Sequence, residues 1–344
     1  MPRARKPVTV KDVARAADVS SATAARALNG YGYVGSAAAA RVSEAAQRLG
    51  YRGNRVAQAL RQGQLPIIGF VSGDIQNPFF ARIAHGVDVA LRRSGHNLLF
   101  ASSEEDVSQE RILVGSLRAL NVCGLIMATA SGDDYAHLED LLEEGFPLVL
   151  VDRAPPRFVC DRVLVDNERG IGQAVDALVK QGHRRIALLH DGSHIITARE
   201  RLAGYIGALR RHGIAPDDRL IFVSKSDVGC AMDATTQLFG NSERPTAIVT
   251  VDSIMTTGVV LALRSLSLSV PHDVSLIGFD DFDMASFTEP PISVVSQPVD
   301  QIGPAAVEML MERIHGSTEP PRCVRFPTVL VERGSVARPL ANKF

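Results

Sequence analysis

The sequence predicts a small all-α head joined by a short helix to a larger α/β domain of two similar lobes with parallel sheets. Three observations carry this. Apolar residues recur at helical spacing through roughly the first 50 residues. From Ile67 onward, short apolar runs alternate with amphipathic stretches of helical length. Charge is also split: residues 1–61 hold 11 Lys and Arg against 3 Asp and Glu, leaving 26 against 35 in the remainder, although the 344 residues sum to only −1. A basic head on an acidic body is the asymmetry expected of nucleic-acid binding. These charges sit among helix-periodic apolar residues, which argues against a merely solvated tail.

In the head, Thr9 and Asp12 stand three apart and fit the Asp form of a capping box. Val10, Val13, Ala14 and Ala17 then form one helical face. Asp18 and Val19 turn the chain, and Ser20 or Ser21 can cap a second helix. That helix buries Ala24, Ala27 and Leu28 and turns Ser21, Ala22, Thr23 and Arg26 outward. A helix-turn-helix of this kind lays its second helix in the major groove. A third helix is expected from Ser36 to Leu49, stopped by Gly50. The intervening GYGYVG matches the dinucleotide pattern G-x-G-x-x-G letter for letter, but no strand precedes it, so that reading is rejected. Tyr31 and Tyr33 within it either reach the DNA backbone or pack on the head.

Residues 54–61 fit two turns of helix with Asn54 as cap and Gly63 as stop. So short a helix does not hold in water alone and is expected to fold on a partner. The expected boundaries are a head at 1–51, a hinge helix and linker at 52–66, and a two-lobed domain at 67–344. Within the last, the near lobe is expected at about 67–163 and 293–335 and the far lobe at about 164–292.

The runs IIGFV, NLLFA, GLIMA, PLVLVD, RVLVD, RIALL, LIFVS, AIVTV and SLIGFD read as strands. Helices are expected between them near 80–94, 109–120, 134–144, 169–180, 199–211, 228–239 and 254–266. Such βα alternation means parallel sheets with helices on both faces, and too many units for one compact sheet. Ligands in such folds bind beyond the carboxyl ends of the strands. Polar pairs stand there: Asp152 and Arg153, Asp252 and Ser253, Asp280 and Asp281.

Other classes find little support. Cys123, Cys160, Cys230 and Cys323 match no metal or redox spacing and read as small core residues in a reducing compartment. No metal or cofactor is called for. The start, MPRARKPVTV, lacks the apolar run of a secretory signal, and no stretch is apolar enough to span a bilayer, so a cytoplasmic protein without membrane contact is expected. His190, Asp191, Ser193 and His194 invite a catalytic reading, but neighbours in one loop rarely converge as nucleophile, base and orienter, and they read as a polar edge of the cleft. No nucleophile elbow or phosphate-binding loop appears.

Ordered along the chain, TVKDVARAADVSSAT, LGYRGNRVAQAL, IGFV followed by QNPFF, VDR, GHRRIALL, ARERLAGY, SLIGFDD and PPISVVSQP carry a family resemblance. From about residue 8 to 334 the chain resembles transcriptional regulators of the lactose/galactose-repressor family. The resemblance implies a homodimer whose heads bind a near-palindromic operator DNA. It also implies a body like the periplasmic sugar-binding proteins, with two lobes, three crossovers and a small-molecule effector in the cleft. The absence of a heptad tail after the last strand favours a dimer over a tetramer.

By the same resemblance, Thr9, Ser21, Ala22, Thr23, Arg26, Asn29 and Tyr33 face DNA from the head, and Asn54, Arg55, Ala57, Leu60 and Arg61 from the hinge. Arg26 is the strong reader, since a bidentate Arg–guanine contact is worth about 1–3 kcal/mol of discrimination. Leu60 stands where members wedge a leucine into the minor groove. Gly53 replaces the usual Pro before the hinge, which raises the cost of ordering it. Ala24 and Ala25 stand where members usually have Val and Ser, and Gly35 replaces a capping Ser, a role Ser36 is expected to take over. The effector set implied is Asn77, Phe79, Phe80, Asp152, Arg153, Arg201, Asp252, Asp280 and Gln297. Acidic and guanidinium groups beside aromatic faces suit a sugar or sugar derivative. Asp252 stands where Asn is usual, so the effector cannot be copied from a relative. Ile195 replaces the extra Arg of purine-binding members, which weighs against a purine co-repressor. The other readings are a co-repressed regulator of nucleobase or other metabolism, a nucleotide-dependent α/β enzyme, and a sugar-binding protein without DNA function.

Overall fold

The computed structural model describes residues 8–29, 32–51, 65–240 and 243–340. The expected hinge residues Asn54, Arg55, Ala57, Leu60 and Arg61, with Gly53, lie outside them, as does Tyr31. The chain divides into two compact units, residues 1–66 and 67–344.

In the first unit, α1 (Val10–Ala16) begins at the expected capping box: the Thr9 amide donates to Asp12 Oδ2 at 2.9 Å and the Asp12 amide to Thr9 Oγ1 at 3.4 Å. Asp18 turns the chain at φ 50°, and Ser20 caps α2 (Ser21–Asn29) by accepting from the Thr23 amide at 3.0 Å. Helix α3 (Ser36–Leu49) ends at Gly50 with φ 64°, the left-handed cap that glycine adopts without strain. Its N-cap is Gly35 and no side chain caps it, so Ser36 does not take over that role; it is already the first helical residue. Val13, Ala14, Ala17, Ala24, Val42, Ala45 and Ala46 form the core of the head. Ala24, fully buried, keeps the α1–α2 crossing close.

The second unit holds two six-stranded sheets. The near sheet runs β11-β5-β4-β3-β1-β2 and the far sheet β12-β10-β9-β8-β6-β7. Their strands are β1 (Leu65–Ser72), β2 (Asn97–Ser102), β3 (Val122–Met127), β4 (Leu148–Asp152), β5 (Asp161–Val165) and β11 (Cys323–Phe326), then β6 (Ile186–His190), β7 (Ile221–Val223), β8 (Ala247–Thr250), β9 (Ser275–Phe279), β10 (Ser293–Ser296) and β12 (Val329–Val331). Both sheets are parallel-rich; the β10–β12 ladder is antiparallel. The near sheet is covered by α4 (Pro78–Arg92) and α12 (Val299–Ile314) on one face and by α5 (Val107–Ala119) and α6 (Ala136–Glu143) on the other. The far sheet packs against α7 (Asn167–Lys180), α8 (Ile196–Arg211), α9 (Val228–Gly240) and α10 (Ser253–Ser265), with the short α11 (Asp283–Phe287) beyond β9.

The chain passes between lobes three times, at residues 165–167, 296–299 and 326–329. The sequence placed 293–335 in the near lobe, and here the structure differs. Strand β10 pairs with β9 and β12, and Ser335 Oγ donates to the Leu276 carbonyl at 2.5 Å, so 293–296 and 329–337 complete the far lobe. The reason lies in the buried run SVVS: it has to finish the far sheet before the chain can leave. Cys123 and Cys160 are buried as expected, whereas Cys230 and Cys323 are exposed. Among the described residues no helix is long and apolar enough to cross a membrane.

Candidate functional site

On the head, Ser21, Ala22 and Arg26 are exposed along one face of α2. Arg26 lays its aliphatic stem against Gly32, whose φ of 72° suits glycine; the carbon of a side chain there would meet the Arg26 Cδ at 3.5 Å. Two other expected contacts are already engaged. The Thr9 hydroxyl donates to Asp12 Oδ2 at 2.6 Å, and the Thr23 and Ser20 hydroxyls share a hydrogen bond of 2.9 Å. Tyr33 is 92% exposed and does not pack on the head.

In the second unit a cavity of about 850 Å³ opens between the lobes, beyond the carboxyl ends of the strands. All nine residues of the expected effector set line it. Two of them reflect the likeness of the lobes. Asp152 ends β4 of the near sheet at φ 65°, and Asp280 follows β9 of the far sheet at φ 69°. Asp tolerates this left-handed geometry better than most residues, and the sharp turn aims both carboxyls at the cleft.

On the near wall, Asn77 caps α4, its Oδ1 accepting from the Phe79 amide at 3.0 Å. Phe79 and Phe80 meet edge to face with centroids 5.2 Å apart and are both buried in the near-lobe core. Phe80 also lies under the Arg153 guanidinium at 5.7 Å, so its ring face serves the protein as well as the cleft. Arg153 donates to Glu105 through both terminal nitrogens, at 2.5 and 3.0 Å, and through Nε to Asp152 Oδ2 at 3.1 Å. Burial works against its charge, but the two carboxylates outweigh burial and hold it protonated.

On the far wall, Arg201 donates from Nε to Asn167 Oδ1 at 2.9 Å and from Nη1 to the Val251 carbonyl at 2.7 Å, with its plane 4.0 Å above the Phe279 ring centroid. Gly204 makes this possible. A side-chain carbon there would fall 2.4 Å from the Glu168 carbonyl oxygen, so only glycine lets α8 approach α7 closely enough for Arg201 to reach Asn167. Asp252 caps α10, its Oδ1 accepting from the Met255 amide at 2.6 Å. Gln297 donates from Nε2 to Asp280 Oδ1 at 2.6 Å. Burial pushes the Asp280 carboxyl up to about 7. Asp191 is pushed up to about 8, first by burial and then by repulsion from Asp252, whose own carboxyl is raised by burial.

The sequence reading missed Glu104 and Glu105 past β2 and Asp74 past β1, although the rule that drew attention to Asp152 and Asp280 covers them too. It noticed Asp191 and His194, which line the cavity, only as loop polarity. His190 is buried, and burial lowers its pKa.

Comparison with known proteins decides the family. Residues 9–54 match the model of bacterial regulatory proteins, lacI family, and residues 175–336 match that of a periplasmic binding protein-like domain. The chain is 31% identical over 330 residues to the HTH-type transcriptional repressor PurR of Photobacterium profundum, covering 95% of this chain and 98% of that protein. It is 34% identical over 334 residues to the HTH-type transcriptional regulator PtxS of Pseudomonas putida, covering 96% of each.

The chain belongs to the lacI family.

Among solved structures, the lac repressor dimer bound to operator and the anti-inducer ONPF matches with a TM-score of 0.86 at 26% identity, over 96% of this chain and 100% of that one. A transcriptional regulator CelR–cellobiose complex matches with a TM-score of 0.73 at 29% identity, over 95% and 99%. The expected fold class, a helix-turn-helix head followed by a two-lobed periplasmic-binding-protein-like domain, is therefore this chain's fold. LacI-family members are DNA-binding transcriptional regulators and not enzymes, and the repressor role read from the sequence accords with these relatives.

Proposed function

We propose that this lacI-family repressor acts in the cytoplasm as a homodimer on a near-palindromic operator, and that a small polyhydroxylated effector, a sugar or sugar derivative, sets its DNA affinity from the cleft. The observation that carries this reading is the convergence of nine residues, drawn from six separate stretches of sequence, on one cavity of about 850 Å³ between two lobes. A site built from both lobes can bind differently in open and closed forms, and its leverage on DNA equals that difference in affinity. The lac repressor and CelR complexes, each with a small ligand, support a small-molecule effector. Thr9, Ser21, Ala22, Thr23, Arg26, Asn29 and Tyr33 of the head, with Asn54, Arg55, Ala57, Leu60 and Arg61 of the hinge, form the proposed DNA-facing set.

An operator selected from random palindromes and measured by gel shift tests this. A chain lacking residues 1–63 should lose operator binding; unchanged binding would sink the proposal. Arg26→Ala should lose about 1–3 kcal/mol of preference for operator over random DNA while keeping salt-sensitive nonspecific binding. Equal loss on all sequences would make Arg26 a phosphate contact.

A further inference from the structure

The cleft is far more acidic than a site for a neutral ligand requires. Nine carboxyl side chains line it, against Arg153, Arg201 and Lys225. Both guanidiniums are already engaged by the protein. Arg153 spends its donors on Glu105 and Asp152, and Arg201 is held by Asn167, the Val251 carbonyl and the face of Phe279. Lys225 is exposed, so its charge is largely screened by solvent.

A second, independent observation concerns hydrogen bonds. Asp152 and Gln297 are 4% and 5% exposed, and each leaves one buried oxygen without a partner, Oδ1 and Oε1 respectively. The Gln297 amide nitrogen already donates to Asp280, and its oxygen is the atom left without a partner. Both open positions are therefore acceptors, and a buried acceptor left unpaired costs about 1–3 kcal/mol. The ligand must bring donors to both walls.

Donors alone leave the charge unbalanced. Sugar hydroxyls would satisfy Asp152 and Gln297 without relieving the lack of a cation beside Asp191, Asp252 and Asp280, whose carboxyls are pushed upward chiefly by burial. A metal ion would relieve it, but among the described residues no three His, Cys, Asp or Glu side chains converge to hold one. The remaining source of positive charge is organic.

Resting on the reading of this cleft as the effector site, we infer that the effector carries a protonated amine on a polyhydroxylated frame, as in an amino sugar or amino polyol. The hydroxyls would donate to Asp152 Oδ1 and Gln297 Oε1, and the ammonium would sit among the carboxyls of the far wall, nearest Asp191.

The test uses the full-length protein and matched compounds: D-glucosamine, D-glucose and D-glucuronate; D-galactosamine, D-galactose and D-galacturonate; 1-amino-1-deoxysorbitol and sorbitol. Each is titrated by calorimetry and then added to the protein–operator complex. At least one amine should bind about tenfold or more tighter than its neutral partner, the scale of one partly screened ion pair, with the acid weakest. Asp191→Asn should shrink that ratio severalfold. A neutral or acidic member that matches or exceeds its amine, no binding by any amine, or an undiminished ratio in Asp191→Asn overturns the inference. Failure of the underlying reading looks different. A neutral sugar that shifts operator affinity leaves the regulator intact and removes the amine, whereas an amine that binds the cleft without changing operator affinity leaves the amine and removes the regulator.

Discussion

The two walls of the cleft carry the same residue types and use them in opposite ways. On the near wall a buried arginine is neutralised twice over, by Glu105 and Asp152. On the far wall a buried arginine is held by neutral oxygens and an aromatic face, so its charge is left to act on Asp252, Asp280 and Asp191. The near-wall group is a closed ion-pair network, rigid and already satisfied. The far-wall group is an open one, with carboxyls whose charge the protein only partly offsets. Strand ends at equivalent places in the two sheets, Asp152 at β4 and Asp280 at β9, thus became a fixed wall and a responsive one. Fold symmetry sets where polar residues stand, and their partners set what those residues can do.

The largest test of this contrast is removal of the far-wall guanidinium. Arg201→Ala strips a donor from Asn167 and from the Val251 carbonyl and leaves neighbouring carboxyls unopposed in a buried setting. Two hydrogen bonds from a charged donor are worth about 1.5–3 kcal/mol each, so their loss costs about 3–6 kcal/mol. Denaturant unfolding should show a loss of that size, together with loss of any effector-induced thermal shift. Arg153→Ala should cost less, because Glu105 is partly exposed and can rehydrate, leaving Asp152 as the one buried carboxyl stripped of its partner. Equal losses in the two variants would erase the distinction between the walls. A full effector shift in Arg201→Ala would remove Arg201 from the site.

That distinction was only half visible in the sequence. Strand ends could be read from apolar runs followed by Asp or Arg, because burial of both faces of a parallel strand leaves an unbroken hydrophobic signature. The capping box at Thr9, the stop at Gly50 and the nine cleft residues were legible on such local grounds or by resemblance. Pairing was not. That Arg153 belongs to Glu105, 48 positions away, and Arg201 to Asn167, 34 away, depends on strand order and helix approach. The lobe boundary failed for the same reason: SVVS looks alike whichever sheet receives it. Glu104 and Glu105 were overlooked because an acidic run after a strand also reads as a solvated turn.

A second test uses pH. In the folded chain the carboxyls of Asp191 and Asp280 lie at about 8 and about 7, well above the usual carboxylate value of about 3.9 for an unfolded chain. Between those values the folded state binds more protons than the unfolded state, so stability is full at the acidic end and falls as pH rises. The melting temperature should decline from about pH 5 to about pH 8 by these groups' contribution. Asp280→Asn and Asp191→Asn should each flatten the decline. A slope unchanged in both far-wall variants would show that the far wall is as settled as the near one.

The smallest expected effect lies where the walls meet. Arg199 at the start of α8 pairs with Asp133 of the near lobe at 3.1 Å, and Arg82 of α4 donates to the far-lobe Asp281 carbonyl at 2.9 Å. Both contacts bridge the lobes, so both should break if the cleft opens. The Arg199–Asp133 side chains are 38% and 71% exposed, which limits such a pair to about 0–1 kcal/mol and makes it salt-sensitive. Arg199→Ala should therefore leave global stability nearly unchanged while shifting the open–closed balance by at most a fewfold, read as a small change in effector affinity. That change should vanish at high salt, where the wild-type pair is screened as well. An Arg199→Ala effect persisting at 1 M salt would mean that Arg199 acts by packing its guanidinium against Gly132 and not by its charge.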